Sequence, residues 1–218
     1  MGNANFDSEL AIISDSVLEM FSLVRLGITA ATEALLCDDL EVARRVIDSD
    51  DEVDLLYARI EQQIQTCFAL QAPLGAEMRY LLSMLRVVPE LERTGDLVSH
   101  VATRASRRLG SAMTPSIRGL FSDMGTVSSS LWSGAEEAYR RRDPFMADRL
   151  RNRDTQLDDL HSLLLAELVD AELSIPVSIE IAFLARFYER IGDHAVNVAN
   201  RIRYVSLGVG VRESFGKQ

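Results

Sequence analysis

One stretch of this chain occurs twice. Glu92-Arg-Thr-Gly-Asp-Leu-Val-Ser-His-Val-Ala-Thr-Arg104 aligns with Glu189-Arg-Ile-Gly-Asp-His-Ala-Val-Asn-Val-Ala-Asn-Arg201, 97 residues on, with seven of thirteen positions identical. A second pair, Asp50-x-x-Val53-Asp54 and Asp154-x-x-Leu157-Asp158, recurs 104 residues on. The shifts differ by seven residues, close to two helical turns. The connection between the motif-bearing helices therefore shortens in the second half without rotating one motif away from the other. Repetition on this scale restricts the chain to two copies of one supersecondary unit.

Each copy reads as three helices. From Phe6 to Cys37, Leu10, Val17, Val24 and Ala31 hold one seven-residue phase, and Ile13, Met20 and Ala34 another, as on a bundle helix. Asp38-Asp39 interrupts it, and a second periodic run from Ala43 through Val46, Ile47, Val53, Tyr57, Ile60, Ile64 and Phe68 reaches Leu70. The turn Gln71 to Gly75 follows, with Pro73 placed to open a third helix that runs to about Leu109 and carries Pro89, where a kink is expected. Leu109 to Ser116 has linker composition. A fourth helix is predicted over about Ile117 to Arg141, a fifth from Asp143-Pro144 to about Asp170, and a sixth from Ser174-Ile-Pro176 to about Leu207. The fourth is rich in small residues (Gly119, Gly125, Ser128 to Ser130), so the second unit is expected to be the looser. The predicted fold is all-α: two tandem antiparallel three-helix bundles, residues 1–110 and 111–207, with a frayed tail over 208–218. Apolar residues at 47% and only 12 Gly and 5 Pro in 218 residues agree with this and disfavour disorder or an all-β fold.

The formal charge of −10 excludes an electrostatic grip on nucleic acid or on an anionic membrane surface, and favours cations or basic partner surfaces. Cys37 and Cys67 lie in apolar helical stretches without metal spacing and suit thiols of a reducing cytosol. The first residues, Met1 to Phe6, lack a basic segment and an apolar core, so no secretory signal is expected, and Phe6 stands where a myristoylation pattern needs Ser or Thr. No run approaches about 18 consecutive apolar residues, so membrane contact is expected only through a partner.

The repeats supply four acidic pairs at i, i+4: Asp50/Asp54 with Glu92/Asp96, and Asp154/Asp158 with Glu189/Asp193. That spacing sets both carboxylates of a pair on one helix face, where like charges repel by about 0.2–0.5 kcal/mol. A cation between two such faces converts the repulsion into coordination, and oxygen ligands on rigid helices favour Mg²⁺, Mn²⁺ or iron. The bland alternative is a solvated acidic face neutralised by Arg93, Arg104, Arg190 and Arg201. Against it stand Gly95 and Gly192, each mid-helix within its motif at a cost of about 1 kcal/mol relative to Ala, which points to close approach of a backbone or a ligand. Four residues beyond each Asp stand His100 and Asn197, both possible additional ligands, and the imidazole extends the metal choice to zinc. His194 points about 100° away around its helix and is expected at an interface. His161, three residues after Asp158, lacks the second Glu-x-x-His that a ferritin-like site needs. No nucleophile elbow, P-loop or dinucleotide turn is present, and Trp132 reads as core. Three readings stay open on these residues: a metal-loaded adaptor, a carboxylate-bridged di-metal enzyme activating water or oxygen, and a structural module using acidic stripes for ion pairing.

Glu189-Arg-Ile-Gly-Asp-His-Ala-Val-Asn197, its copy Glu92-Arg-Thr-Gly-Asp96 and the turn Leu70-Gln-Ala-Pro-Leu-Gly-Ala-Glu-Met-Arg79 resemble the PhoU family of phosphate-signalling regulators, over nearly the whole chain. The resemblance implies paired three-helix bundles with multinuclear metal sites on their surface, held by Glu92, Asp96, Glu189 and Asp193 and, on the neighbouring helices, by Asp50, Asp54, Asp154 and Asp158. It implies a non-enzymatic negative regulator of the phosphate regulon that links the ATPase subunit of the phosphate ABC transporter to a sensor histidine kinase. It also implies a homodimer at the cytoplasmic face of the membrane. The chain departs from the family pattern at His100, more often Asn, and at Glu77, more often Asp.

Overall fold

The structure is a computed structural model and describes residues 2–208. Its helices are α1 (Gly2–Cys37), α2 (Leu40–Asp48), α3 (Asp50–Gln71), α4 (Gly75–Ser106), α5 (Pro115–Arg141), α6 (Met146–Asp170) and α7 (Ile175–Leu207), with a short 3-10 turn at Gly110–Ala112. Local chemistry sets the boundaries. The Asp39 carboxylate accepts from the N–H groups of Glu41 and Val42 and caps α2. Thr114 caps α5 ahead of Pro115 at N1, and Ser174 precedes α7 with Pro176 in its first turn. Ala72, Arg142 and Gly208 end α3, α5 and α7 in the left-handed conformation.

Three boundaries differ from the periodicity reading, one of them the start of the predicted fifth helix, which is Met146 and not Asp143-Pro144. The second run is broken at Ser49, which keeps helical φ and ψ (−74°, −11°) and lets the apolar phase continue across the break from α2 to α3. The third helix starts at Gly75, two residues beyond Pro73, and continues unbroken through Pro89. Of the expected tail only Gly208 falls among the described residues.

α1, α4, α7 and α5 form a closed ring of four neighbours; α2 and α3 cover the α1–α4 side, and α6 covers the α5–α7 side. One contiguous apolar core runs through both halves, from Phe21 and Met20 on α1 to Leu157 on α6 and Leu184 on α7. Trp132 lies inside it and donates its indole N–H to the carbonyl of Ile191 at 3.0 Å. The small residues of α5 serve packing: a methyl at Gly125 would lie 2.5 Å from Thr32 Cγ2 on α1, and Thr32 in turn bonds the buried Tyr188 hydroxyl at 2.7 Å. At Gly125 the second unit is therefore closely packed rather than loose. The connection between halves is also docked, with Gly110 buried against the Leu35 carbonyl and Arg118 donating to the carbonyls of Gly110 and Leu36.

α1 itself, over Phe6–Cys37, is long and apolar enough to cross a membrane by length and composition, although charged residues such as Glu19, Arg25 and Glu33, with scattered Ser, Thr and Gly, keep its apolar runs short. Ile13, Val17, Met20, Phe21, Val24 and Ile28 are each at most 2% exposed, as on the central helix of a bundle.

Candidate metal centre

The repeats fold into two matching acidic faces. In the first, Asp50 and Asp54 of α3 meet Glu92 and Asp96 of α4; in the second, Asp154 and Asp158 of α6 meet Glu189 and Asp193 of α7. The burial pattern is the same in both: Asp50, Glu92, Asp154 and Glu189 are half-buried, while Asp54, Asp96, Asp158 and Asp193 are exposed. The two glycines explain the approach. A methyl at Gly95 would lie 3.0 Å from Asp50 Oδ1 and 3.3 Å from Val53 Cγ1. One at Gly192 would collide with Asp154 Oδ1 and lie 2.6 Å from Leu157 Cδ2. What each glycine admits is thus the first carboxylate of the neighbouring helix, with the apolar residue one turn further on.

Close packing of like charges has an electrostatic signature. Burial, followed by the charges of Asp158, Asp193 and Glu189, pushes the Asp154 carboxyl up from 3.8 to about 6. Asp50 is also raised, by burial and by Asp96 and Asp54, but a hydrogen bond from Ser99 and the nearby His100 pull it back. Glu92 is raised by burial and by Asp96 and Asp54. In the repeat, Ser99 and His100 become Val196 and Asn197, so the second face keeps its mutual repulsion without that relief.

None of the four arginines expected to neutralise these faces forms an ion pair with a face carboxylate among the described residues, although the charge of Arg93 acts on Glu92. Arg93 pairs with Glu90 at 3.5 Å and Arg104 with Glu180 at 2.8 Å, and neither Arg190 nor Arg201 forms an ion pair among the described residues. One unforeseen arginine, Arg186, pairs with Glu189. His100 is exposed and stacks on Phe187 of α7, ring centroids 5.5 Å apart, within electrostatic reach of Asp50. Asn197 instead bonds Glu90 of α4. His194 is buried between α4 and α7 with Nδ1 on the Glu90 carboxylate. His161 is partly buried on α6. Ser99 and Glu90 were not visible as site residues, because only the packing of α4 on α3 and α7 gives them partners.

Among the described residues no three His, Cys, Asp or Glu side chains stand in coordinating positions. The donor set nevertheless fits a hard cation. Each face offers four carboxylates from two rigid helices, and in the second face the half-buried carboxyl over Gly192 carries a repulsion that positive charge relieves.

Comparison with known proteins agrees with the duplication. The PhoU domain matches twice, over residues 17–105 and 121–202. Phosphate-specific transport system accessory protein PhoU homolog 2 of Mycobacterium tuberculosis is 35% identical over 93% of this chain and 97% of its own length. The crystal structure of PhoU from Pseudomonas aeruginosa superposes with a TM-score of 0.88 at 28% identity, covering 94% of this chain and all of that one. The phosphate transport system regulatory protein PhoU from Streptococcus pneumoniae gives 0.84 at 25% identity, covering 94% of this chain and 98% of that one. Two copies of the domain, in the order and spacing of the two acidic faces, place this chain in the PhoU family, to which it belongs.

Proposed function

We propose that this protein is a metal-binding, non-enzymatic regulator of phosphate uptake and phosphate-regulon signalling, acting as an adaptor between the ATPase subunit of a phosphate ABC transporter and a sensor histidine kinase. The observation that carries the metal part is the packing of Asp154 over Gly192, in which a carboxyl is held half-buried against three others. In this reading Asp154, Asp158, Glu189 and Asp193 hold one ion or cluster of Mg, Mn, Fe or Zn, and Asp50, Asp54, Glu92 and Asp96 hold another. The metal supplies fixed positive charge, which locks neighbouring helices together and shapes the surface offered to partners. No bond is made or broken.

An adaptor needs docking surface on more than one side. α4 and α7 pack antiparallel, since Arg104 meets Glu180 near the start of α7 while Glu90 meets His194 further along it. Met78 and Leu82 on α4 and their repeat counterparts Ile175 and Ile179 on α7 are exposed, and so lie toward opposite ends of that seam. The names of the relatives cited above support the link to phosphate transport. In the same reading the protein works as a homodimer at the cytoplasmic face of the membrane, reaching it through its partners.

Metal analysis of purified protein beside Glu92→Ala and Glu189→Ala, followed by a pull-down with transporter ATPase and kinase, tests this. Each substitution is expected to lower metal content and weaken partner capture. Metal content that ignores both substitutions overturns the site; metal lost with capture intact makes the metal structural and removes it from signalling.

A further inference from the structure

The repeat is broken at one place on the seam between α4 and α7. With a shift of 97 residues, the stack of His100 on Phe187 corresponds to the hydrogen bond of Asn197 with Glu90, so the two sides of the seam are related contact by contact. On one side Arg104 is paired by charge: its guanidinium lies 2.8 Å from Glu180 and 4.8 Å from the centroid of the Phe187 ring. Its counterpart Arg201 has no such partner, because the repeat puts Ser83 where Glu180 would be and Glu90 where Phe187 would be. Glu90 is already engaged by His194, Asn197 and Arg93. Where the first side holds exposed Phe183, the second holds Arg86.

The result is an open groove of about 480 Å³ lined by Arg86, Glu90, Arg93, Asn197, Asn200 and Arg201. Three guanidinium groups against one occupied carboxylate make it positive on a chain of charge −10. Arg86 and Arg201 form no ion pair with a carboxylate among the described residues. They are close enough to each other to repel, and burial together with Arg86 makes the charged form of Arg201 harder to hold, against a partial pull from Glu90 and Tyr204. Asn200 accepts from Arg151 through Oδ1 at 3.3 Å, which leaves its NH₂ group to donate.

We propose that this groove binds a phosphate-class oxyanion, free or as the terminal group of a nucleotide, with Arg86 and Arg201 as its principal guanidinium donors and Asn200 as an amide donor. The anion takes the place of the carboxylate that Glu180 supplies on the Arg104 side of the seam and that the Arg201 side lacks. Planar guanidinium forks match tetrahedral oxyanions and hold them by charge-assisted hydrogen bonds. The site is separate from the carboxylate faces and needs no metal.

Equilibrium dialysis of the full chain in EDTA, with labelled inorganic phosphate in one arm and labelled ADP in the other, tests it on wild type, Arg86→Gln, Arg201→Gln and the double variant. Glu189→Gln serves as a control at the metal face. Saturable binding of about one anion per chain is expected, weakened at least about tenfold by either arginine substitution, as loss of charged hydrogen bonds implies, and unchanged by Glu189→Gln. Tighter binding of phosphate assigns the free anion, and tighter binding of ADP the nucleotide. No saturable binding of either, or binding retained in the double variant, overturns the proposal. Arg86 is exposed, so Arg86→Gln keeps the test valid even if Arg201→Gln fails to fold.

Discussion

Asp154 and Asp50 hold the same place in the two repeats and differ in their company. Asp50 has the Ser99 hydroxyl and His100, while Asp154 has only other carboxylates beside it. The native Asp154 carboxyl therefore keeps its proton up to about pH 6, whereas in the unfolded chain it releases it near 3.8. Between these values the native state binds more protons, so this residue's contribution to stability is full below 3.8 and is lost as pH rises through about 6 when no cation is present. Asp154→Asn is expected to remove that loss and raise metal-free stability at neutral pH by about 1 kcal/mol, once solvent screening of a half-exposed group is allowed for. Urea midpoints in EDTA at pH 4.5 and 7.5 check this; a variant with the wild-type pH slope would contradict it. The glycines give a second contrast. Gly192→Ala drives a methyl into Leu157 and Asp154, so overpacking outweighs the gain in helix propensity and a net loss of about 1–2 kcal/mol is expected. At Gly95 the nearest atoms are the tip of Asp50 at 3.0 Å and Val53 at 3.3 Å, and Gly95→Ala should be close to neutral. Thermal unfolding of the two variants side by side decides it, and equal losses would show that the two faces are not packed differently.

At the scale of the helix, what could be read in advance was what is written locally. The interruption at Asp38-Asp39 and Pro176 after Ser174 mark boundaries by residue type, and the apolar spacing locates the buried stripes, whereas Thr114-Pro115, read as linker, caps and opens α5 two residues ahead of the expected start. The break at Ser49 was hidden because Ser49 stays helical and Val46 and Val53 stay in phase across it. It has a consequence: Asp50, Asp51 and Glu52 become the first turn of α3, where the helix dipole favours negative charge, whereas Asp154 lies inside α6. α2 is only nine residues long and depends on its cap, so Asp39→Ala is expected to cost about 1 kcal/mol. Hydrogen exchange should show the loss as faster exchange at Glu41 and Val42; unchanged protection there would mean that tertiary packing alone holds the helix. The acidic pairs were legible because the sequence repeats them. Ser99 and the Glu90–His194 contact were not, because each acquires its meaning from which helices face one another across α3, α4 and α7; Arg186, three residues before Glu189 on the same helix, was within reach of a spacing argument.

Across the whole molecule the two repeats do not keep their cores apart. α1 packs on α5 and α4 on α7, so the buried side chains of the first unit continue into those of the second, and the turn joining the units is fixed to the end of α1. Neither half can expose its apolar face without stripping the other, because Phe21 on α1 lies against Trp132 and Tyr139 on α5, with ring centroids 5.9 and 5.5 Å apart. Although chains of this size often unfold domain by domain, the shared core predicts one cooperative transition, with calorimetric and van't Hoff enthalpies equal. The same coupling governs cation binding. An ion that binds only the native faces stabilises by RT ln(1 + [L]/Kd), and because both faces belong to one unfolding unit, saturating either raises the single midpoint rather than splitting it. Scanning calorimetry in EDTA and then with added Mn²⁺ should give one endotherm that moves upward intact, with Glu189→Gln reducing the movement. Two endotherms, only one of them sensitive to Mn²⁺, would show the halves to be energetically independent despite their common core.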